Sequence, residues 1–266
     1  MNSQPTSGGI LEEIVFSKRQ EVTSLKVRLE INKVKKLMKE LPRPRNFLKA
    51  FTKGKISLIA EIKKASPSAG VIVEKYEPVY LAKTYEECGA SAISVLTDAK
   101  YFQGKIEDLK AAKESTTVPI LRKDFIIDES QIYESRIYGA DAVLLIARIL
   151  NSDQLLEFMD TAQELKMKCL VEVHNEAELE QALKADAEII GINNRDLDNM
   201  TVDFNTTLRL LEKYPQLKDK IVVSESGINS SQQVKLLRDK GVWGILVGES
   251  LLKSGNIPAK VRELMG

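Results

Sequence analysis

The chain has 266 residues, with 39 lysines and arginines against 38 aspartates and glutamates. This near balance lacks the basic excess that binds nucleic acid. No run of about 18 apolar residues occurs, so no membrane span is expected. The start, MNSQPTSGG, lacks the basic and apolar segments of a secretory signal. Length and composition favour one cytoplasmic α/β domain covering residues 1–266.

Cysteine and histidine are scarce. Cys88 and Cys169 lie far apart without metal-ligand spacing, and His174 is the only histidine. We therefore expect two small buried cysteines in a reducing compartment and no metal site. For His174 we expect a structural role, such as capping a helix that begins near Asn175.

The first fifty residues differ in pattern from the rest. Ile10–Met38 has helical periodicity, and Pro42 and Pro44 end it. A segment of this length is too short to hold a core of its own. Residues 1–50 are therefore predicted to be a helical extension packed on the main domain.

Beyond this extension, short apolar runs rich in β-branched residues alternate with helical patterns such as Gln154–Leu165. Continuous apolar runs are typical of strands covered on both faces. Such an alternation predicts a (β/α)8 barrel. A doubly wound sheet is the competing fold, but no G-x-G-x-x-G motif follows the first predicted strand of this sequence. The eight runs are Ser57–Ile62, Ala92–Leu96, Pro119–Leu121, Ala142–Ile146, Cys169–Val173, Glu188–Ile192, Ile221–Val223 and Trp243–Val247.

Polar residues gather where these strands end. Glu61 and Lys63 are two apart in LIAEIKKASPS, so on a strand both side chains face the same way. In a parallel barrel the carboxyl ends of the strands form the active-site rim. We expect these ends to converge on one mouth. The other strand ends supply Lys123, Glu172, Asn193, Arg195, Glu225 and Ser226.

Two glycine-containing loops give a second signal. Ser226 and Gly227 follow the seventh run, and Gly248 and Glu249 follow the eighth. Loops after strands seven and eight of such barrels commonly bind phosphate, because glycines let backbone N–H groups approach the anion. The sequence thus predicts a small phosphorylated substrate.

Motifs along nearly the whole chain resemble one family, indole-3-glycerol phosphate synthase. They occur in the order ILEEIVFSKRQEV, LIAEIKKASPS, SVLTDAKYFQG, PILRKDFIID, LVEVHN, GINNRDL, VSESGI and ILVGESLL. The resemblance implies a barrel with a helical extension over its mouth. It also implies closure of the indole ring of 1-(2-carboxyphenylamino)-1-deoxyribulose 5-phosphate with loss of carbon dioxide and water, using no metal or organic cofactor. We expect a monomer or weak homo-oligomer.

The resemblance also implies residue roles. Lys123 would be the general acid at the ribulose carbonyl, Lys63 would lie near the substrate carboxylate, and Glu172 would be the base for dehydration. A lysine beside other cations would have the depressed pKa that suits an acid. The implied catalytic set is Glu61, Lys63, Lys123, Glu172, Asn193 and Ser226. The implied substrate-binding set is Lys64, Ser66, Phe102, Phe125, Leu144, Arg195, Gly227, Gly248 and Glu249.

Other classes of protein remain open at this stage. A Schiff-base aldolase would use Lys63 or Lys123 as its nucleophile. A sugar-phosphate isomerase would need a cysteine–aspartate pair at strand ends, which Cys88 and Cys169 do not provide. A non-catalytic phosphate-binding barrel would keep the glycine loops and lack Lys123 or Glu172.

Overall fold

The computed structural model describes residues 9–29, 34, 36–38 and 40–266. Its first helix, α1, spans Ile10–Arg28. The helix predicted over Ile10–Met38 is therefore seen as far as Arg28, and part of its remainder lies outside the described residues. Among the described residues, no helix is long and apolar enough to cross a membrane.

Eight parallel strands close into a barrel in which each strand pairs with the next and the last with the first. The prediction of a (β/α)8 barrel is confirmed. The strands are β1 Ser57–Ile62, β2 Ala92–Leu96, β3 Ile120–Lys123, β4 Ala142–Ile146, β5 Lys168–Val173, β6 Ile189–Asn193, β7 Ile221–Glu225 and β8 Gly244–Val247.

Helices follow the strands and cover the barrel. Asn151 caps α5 by accepting a hydrogen bond from the Gln154 backbone. The α-helices that follow β1, numbered on from α1, are α2 Pro78–Glu87, α3 Ile106–Ser115, α4 Glu129–Ile137, α5 Ser152–Glu164, α6 Glu176–Lys184, α7 Asn205–Lys213, α8 Ser231–Asp239, α9 Glu249–Leu252 and α10 Ile257–Met265.

Strands β3 and β7 extend further than the sequence predicted. The predicted runs stopped at Leu121 and Val223, because charged residues follow both. The strands continue because these charges are buried and paired, Glu225 inside the barrel and Arg122 between the barrel and helix α4. Arg122, for example, contacts the Asp124 carboxylate at 3.0 Å and the Glu134 carboxylate at 3.0 Å.

Side-chain alternation divides the apolar residues into two layers. Leu58, Ala60 and Ile62 face the helices, whereas Ile59 faces the barrel interior. The lower interior is apolar, and Phe51 from the N-terminal segment packs there. By the same alternation, the odd-numbered residues at the end of β1 point into the mouth of the barrel.

A buried lysine attaches α1 to the barrel. The Lys18 side chain is 2% exposed, and its Nζ lies 2.9 Å from a carboxylate oxygen of Asp98 and 2.9 Å from one of Asp124. Burial opposes its charge, but these two carboxylates outweigh burial and raise the pKa of Lys18. Asp98 accepts a hydrogen bond from the backbone N–H of Phe102, and Asp124 accepts one from that of Phe125. The helix is thereby tied to two loops of the mouth.

Replacement of Lys18 should destabilise the fold strongly. Lys18→Met leaves two buried aspartates without this cation, which we expect to lower the free energy of unfolding by about 3–5 kcal/mol. The matched control is Lys26→Met on the same helix, where a half-exposed ion pair to Asp128 is lost and about 0–1 kcal/mol is expected. Urea denaturation measures both. Equal losses in the two variants would contradict this assignment.

Candidate active site

A cavity of about 620 Å³ opens at the carboxyl ends of the strands. It lies where the sequence placed a mouth. Every residue of the implied catalytic set lines it, as do all of the implied substrate-binding residues except Lys64. The lining residues from that prediction are Glu61, Lys63, Ser66, Phe102, Lys123, Phe125, Leu144, Glu172, Asn193, Arg195, Ser226, Gly227, Gly248 and Glu249.

Lys64 is the exception. It follows Lys63, which lines the cavity, but is itself not among the lining residues. The carbonyl oxygen of Lys64 accepts hydrogen bonds from the backbone of Ile72 and Val73, beside the short hairpin that follows β1. The structure therefore does not group Lys64 with the other predicted phosphate-binding residues.

The centre of the cavity is an ammonium group between two carboxylates. Lys123 Nζ lies 2.8 Å from Glu172 Oε2 and 3.0 Å from Glu225 Oε2. The carboxylate side chains are 3% and 2% exposed, and Lys123 is 15% exposed. Because water is largely excluded, these charges act on one another strongly.

The expectation of a depressed lysine pKa was wrong for Lys123. Burial lowers its pKa, but the carboxylates of Glu172, Glu225 and Glu61 outweigh burial and raise it. The reason is that the nearest charges are carboxylates rather than cations. Lys123 is consequently held in its protonated form.

The two carboxylates beside Lys123 are not equivalent. Burial disfavours both anions, but Lys123 and His174 outweigh it at Glu172 and lower the pKa of that carboxyl. At Glu225 burial and the nearby Glu172 charge prevail over Lys123 and raise the pKa to about 7. One ionised and one readily protonated carboxyl group thus share the same lysine.

Glu225 was noted at a strand end but was left out of the implied catalytic set. Its position could have been found from strand parity. The residues two positions before Glu61, Lys123, Glu172 and Glu225 are all apolar residues of the barrel interior, namely Ile59, Leu121, Leu170 and Val223. These four charged residues come from β1, β3, β5 and β7, as one interior layer of such a barrel requires.

Two glycines leave room for this charged layer. A Cβ atom on Gly191 of β6 would lie 2.2 Å from Glu225 Oε1. A Cβ atom on Gly248 would lie 2.5 Å from Glu61 Oε1. Glu61 in turn accepts a hydrogen bond of 2.6 Å from Lys63 Nζ. Glycine is therefore needed at both positions because the carboxylates occupy the space of a side chain.

The loops after β7 and β8 meet at one end of the cavity. Ser226 and Gly227 have φ of 65° and 75°, so successive backbone units adopt the left-handed conformation. Such a turn forms a concave site for anions. Ser250 Oγ donates a hydrogen bond of 3.1 Å to the Ile228 carbonyl and joins the two loops.

Cations surround Glu249 at this end of the cavity. Its carboxylate lies 2.7 Å from Lys253 Nζ and 3.6 Å from Arg195 Nη2. The hydrogen bond from Lys253 lowers the pKa of Glu249. Lys253 also lines the cavity and was not identified from the sequence.

The opposite wall is apolar. The rings of Phe102 and Phe125 lie 6.1 Å apart between centroids, and Leu144 completes this wall from β4. Leu11 and Ile14 of α1 also line the cavity. The extension therefore contributes directly to the site, although the sequence motifs alone did not indicate which of its residues would do so.

These features define a (β/α)8-barrel enzyme with a buried cluster of lysine and glutamate side chains between an apolar wall and two glycine loops. A family model described as indole-3-glycerol phosphate synthase matches residues 11–264. The chain belongs to the indole-3-glycerol phosphate synthase family.

Individual relatives agree with this assignment. An indole-3-glycerol phosphate synthase from Endomicrobium trichonymphae is 49% identical over 252 residues, covering 91% of this chain and 97% of the relative. One from Caldanaerobacter subterraneus subsp. tengcongensis is 49% identical over 259 residues, covering 97% and 99%. A solved 3-hexulose-6-phosphate synthase has a TM-score of 0.63 at 14% identity, covering 79% of this chain and 98% of that one. That likeness supports the fold alone.

The raised pKa of Glu225 predicts how stability changes with pH. Its pKa rises from 4.5 to about 7 on folding. Between these values the folded state binds more protons than the unfolded state, so Glu225 costs stability as pH rises through this window. Glu225→Gln lacks this contribution. We expect the variant to gain stability relative to the wild type between pH 4.5 and 7, measured by urea unfolding. If the free energies of unfolding of the wild type and the variant changed equally with pH across this window, the raised pKa of Glu225 would be refuted.

Proposed function

We propose that the protein converts 1-(2-carboxyphenylamino)-1-deoxyribulose 5-phosphate to indole-3-glycerol phosphate by lysine and glutamate acid–base catalysis. The observation that carries this proposal is the protonated Lys123 between Glu172 and Glu225, at the centre of a cavity with an aromatic wall and two glycine loops. This arrangement matches a substrate with an aromatic ring at one end and a phosphate at the other.

The two ends of the cavity orient the substrate. The anthranilate ring fits against Phe102, Phe125 and Leu144, and the phosphate fits the loops containing Gly227 and Gly248. The carboxylate of the ring meets the cationic groups of Lys63 and Arg195, with Ser66 beside them. Holding both ends places the ring carbon that bears the carboxylate against the ribulose carbonyl, which removes much of the entropic barrier to ring closure.

Ring closure requires one proton at the carbonyl oxygen. As the ring carbon attacks the carbonyl carbon, Lys123 donates a proton to the oxygen, which becomes a hydroxyl group. The bond from that ring carbon to the carboxylate then breaks, and its electron pair returns to the ring system as carbon dioxide leaves. A largely apolar pocket assists this loss of charge.

Dehydration completes the indole. Glu172 removes a proton from the new five-membered ring while the hydroxyl group leaves as water, taking a proton from Lys63. Asn193 binds the sugar hydroxyls, Glu61 balances the charge of Lys63, and Ser226 supports the phosphate end. The steps are one carbon–carbon bond formation, one decarboxylation, one loss of water and the accompanying proton transfers, so we propose that neither a metal ion nor an organic cofactor takes part.

The Schiff-base alternative is disfavoured by the charge state of Lys123. An amine nucleophile must be neutral to attack a carbonyl carbon. The carboxylates around Lys123 raise its pKa and keep it charged. Borohydride should therefore trap no adduct between Lys123 and the substrate. For quaternary structure and location we retain the proposal of a cytoplasmic monomer or weak homo-oligomer.

The activity assay follows indole fluorescence after mixing protein and substrate, with and without a chelator. We expect turnover that the chelator does not stop. Lys123→Met and Glu172→Gln should each reduce kcat by at least about 10²-fold, as is usual for general acid–base groups. Lys168→Met is the matched control, because this exposed lysine begins β5 and pairs with Glu188 away from the mouth. If the wild-type protein formed no product, the proposed function would be refuted. A kcat close to the wild-type value in the two variants would refute the proposed mechanism.

A further inference from the structure

His174 follows β5 directly and lies beside the proposed base. Its side chain is 4% exposed. Nε2 lies 3.2 Å from Glu172 Oε1, and Nδ1 lies 2.8 Å from Glu178 Oε2. The ring thus lies between two carboxylates: Nδ1 is hydrogen-bonded to Glu178, whereas Nε2 is within ion-pair distance of Glu172 without a hydrogen bond to it. The cap of helix α6 is Asn175 rather than His174. The sequence predicted a structural role for His174, but the contact with Glu172 connects it to the cavity.

Glu178 holds the imidazole from the other side. Its Oε2 also accepts the backbone N–H of His174 at 2.7 Å, and its Oε1 accepts Asn175 Nδ2 at 2.7 Å. The backbone N–H of Glu178 donates to Asn175 Oδ1 at 3.0 Å. Glu178 is thus fixed by the capping interactions of α6, and the orientation of the ring follows from it.

The two carboxylates beside Lys123 differ in one contact. Glu172 and Glu225 approach Lys123 Nζ at similar distances, 2.8 and 3.0 Å. Among the described residues, only Glu172 has a second cationic neighbour, because His174 contacts its other oxygen. Glu225 Oε1 is buried without a hydrogen-bond partner. Lysine alone cannot explain why one carboxyl group is ionised and the other takes up a proton.

The charged groups around His174 favour its protonated form. Burial lowers the pKa of His174, but Glu172 and Glu178 outweigh burial and raise it to about 9. Lys123 and Glu225 lie beyond Glu172, on β3 and β7. Arg148 acts on Glu178 from the short 3-10 turn Ala147–Ile149, which packs against β5 and α6.

We infer that His174 is a positioning residue that selects Glu172, rather than Glu225, as the ionised base of the pair. It acts through the Glu172 carboxylate, because its charge lies 3.2 Å from one carboxylate oxygen while Lys123 contacts the other. Without the imidazolium, the two carboxyl groups compete more evenly for one proton. The base is then protonated in a larger fraction of molecules at mildly acidic pH. This inference rests on the proposed function.

The decisive experiment is the pH profile of kcat for His174→Gln. Loss of the adjacent cation raises the pKa of Glu172, so the acidic limb should move to higher pH by at least about one unit. At alkaline pH the base is ionised in both proteins, and kcat should approach the wild-type value. A purely structural role would lower kcat at every pH and leave the limb in place.

Helix α6 provides a second variant and its control. Glu178→Gln removes the outer anchor and should shift the limb in the same direction by a smaller amount. Glu176→Gln removes a carboxylate from the same first turn, where it pairs with Lys213 at the surface. In the Glu176→Gln control, the acidic limb of the kcat profile should lie at the same pH as in the wild type. A shift of equal size in both α6 variants would overturn the inference.

The single histidine permits a direct measurement. In untagged protein the one imidazole signal can be titrated by NMR, and we expect a pKa of about 9 in the wild type. Glu172→Gln should lower this value. Titration near 6.5, the ordinary value for histidine, would overturn the inference. A wild-type protein without activity refutes the proposed function. If the wild type is active and the acidic limb of the kcat profile is the same in His174→Gln, only the role of His174 is refuted.

Discussion

One ammonium group among three carboxylates holds the upper interior of this barrel together. Lys123 interacts with Glu172, Glu225 and Glu61, and all four side chains point inward from alternate strands. Taking charges out of water is costly, and such a cluster persists only where partners and hydrogen bonds compensate. The compensation comes from Lys63 at Glu61, from His174 at Glu172, and from the raised pKa of Glu225.

The backbone is adapted to the same layer of charges. Gly191 and Gly248 lack the Cβ atoms that would collide with Glu225 and Glu61. Each glycine lies on a strand, or directly after a strand, next to the one that carries the carboxylate. A side chain at either glycine would push a carboxylate away from its cation. The interior is thus fitted to charged groups as closely as the layer below is fitted to apolar ones.

Much of the fold follows from local patterns in the sequence. Continuous apolar runs alternate with helical ones, and glycine or capping residues mark their ends, so the barrel is predictable. The ends of β3 and β7 are harder to predict, because Arg122 and Glu225 look like loop residues until their partners are known. Strand parity explains the position of Glu61 and Lys63 and also explains why Glu225 joins them in the barrel interior. The pKa of Lys123 could not be predicted, because it depends on which charges the closed barrel brings within 3.0 Å.

The attachment of α1 by Lys18 has a consequence for cooperativity. Lys18 pairs with Asp98 and Asp124, and these aspartates also hold the backbone of Phe102 and Phe125. Detaching the helix would therefore expose Leu11 and Ile14, leave two buried anions uncompensated, and release the aromatic wall in the same event. Helix α1 and the aromatic wall therefore form a single unit of local unfolding. Amide hydrogens in α1 and around Phe125 should accordingly exchange at a common rate.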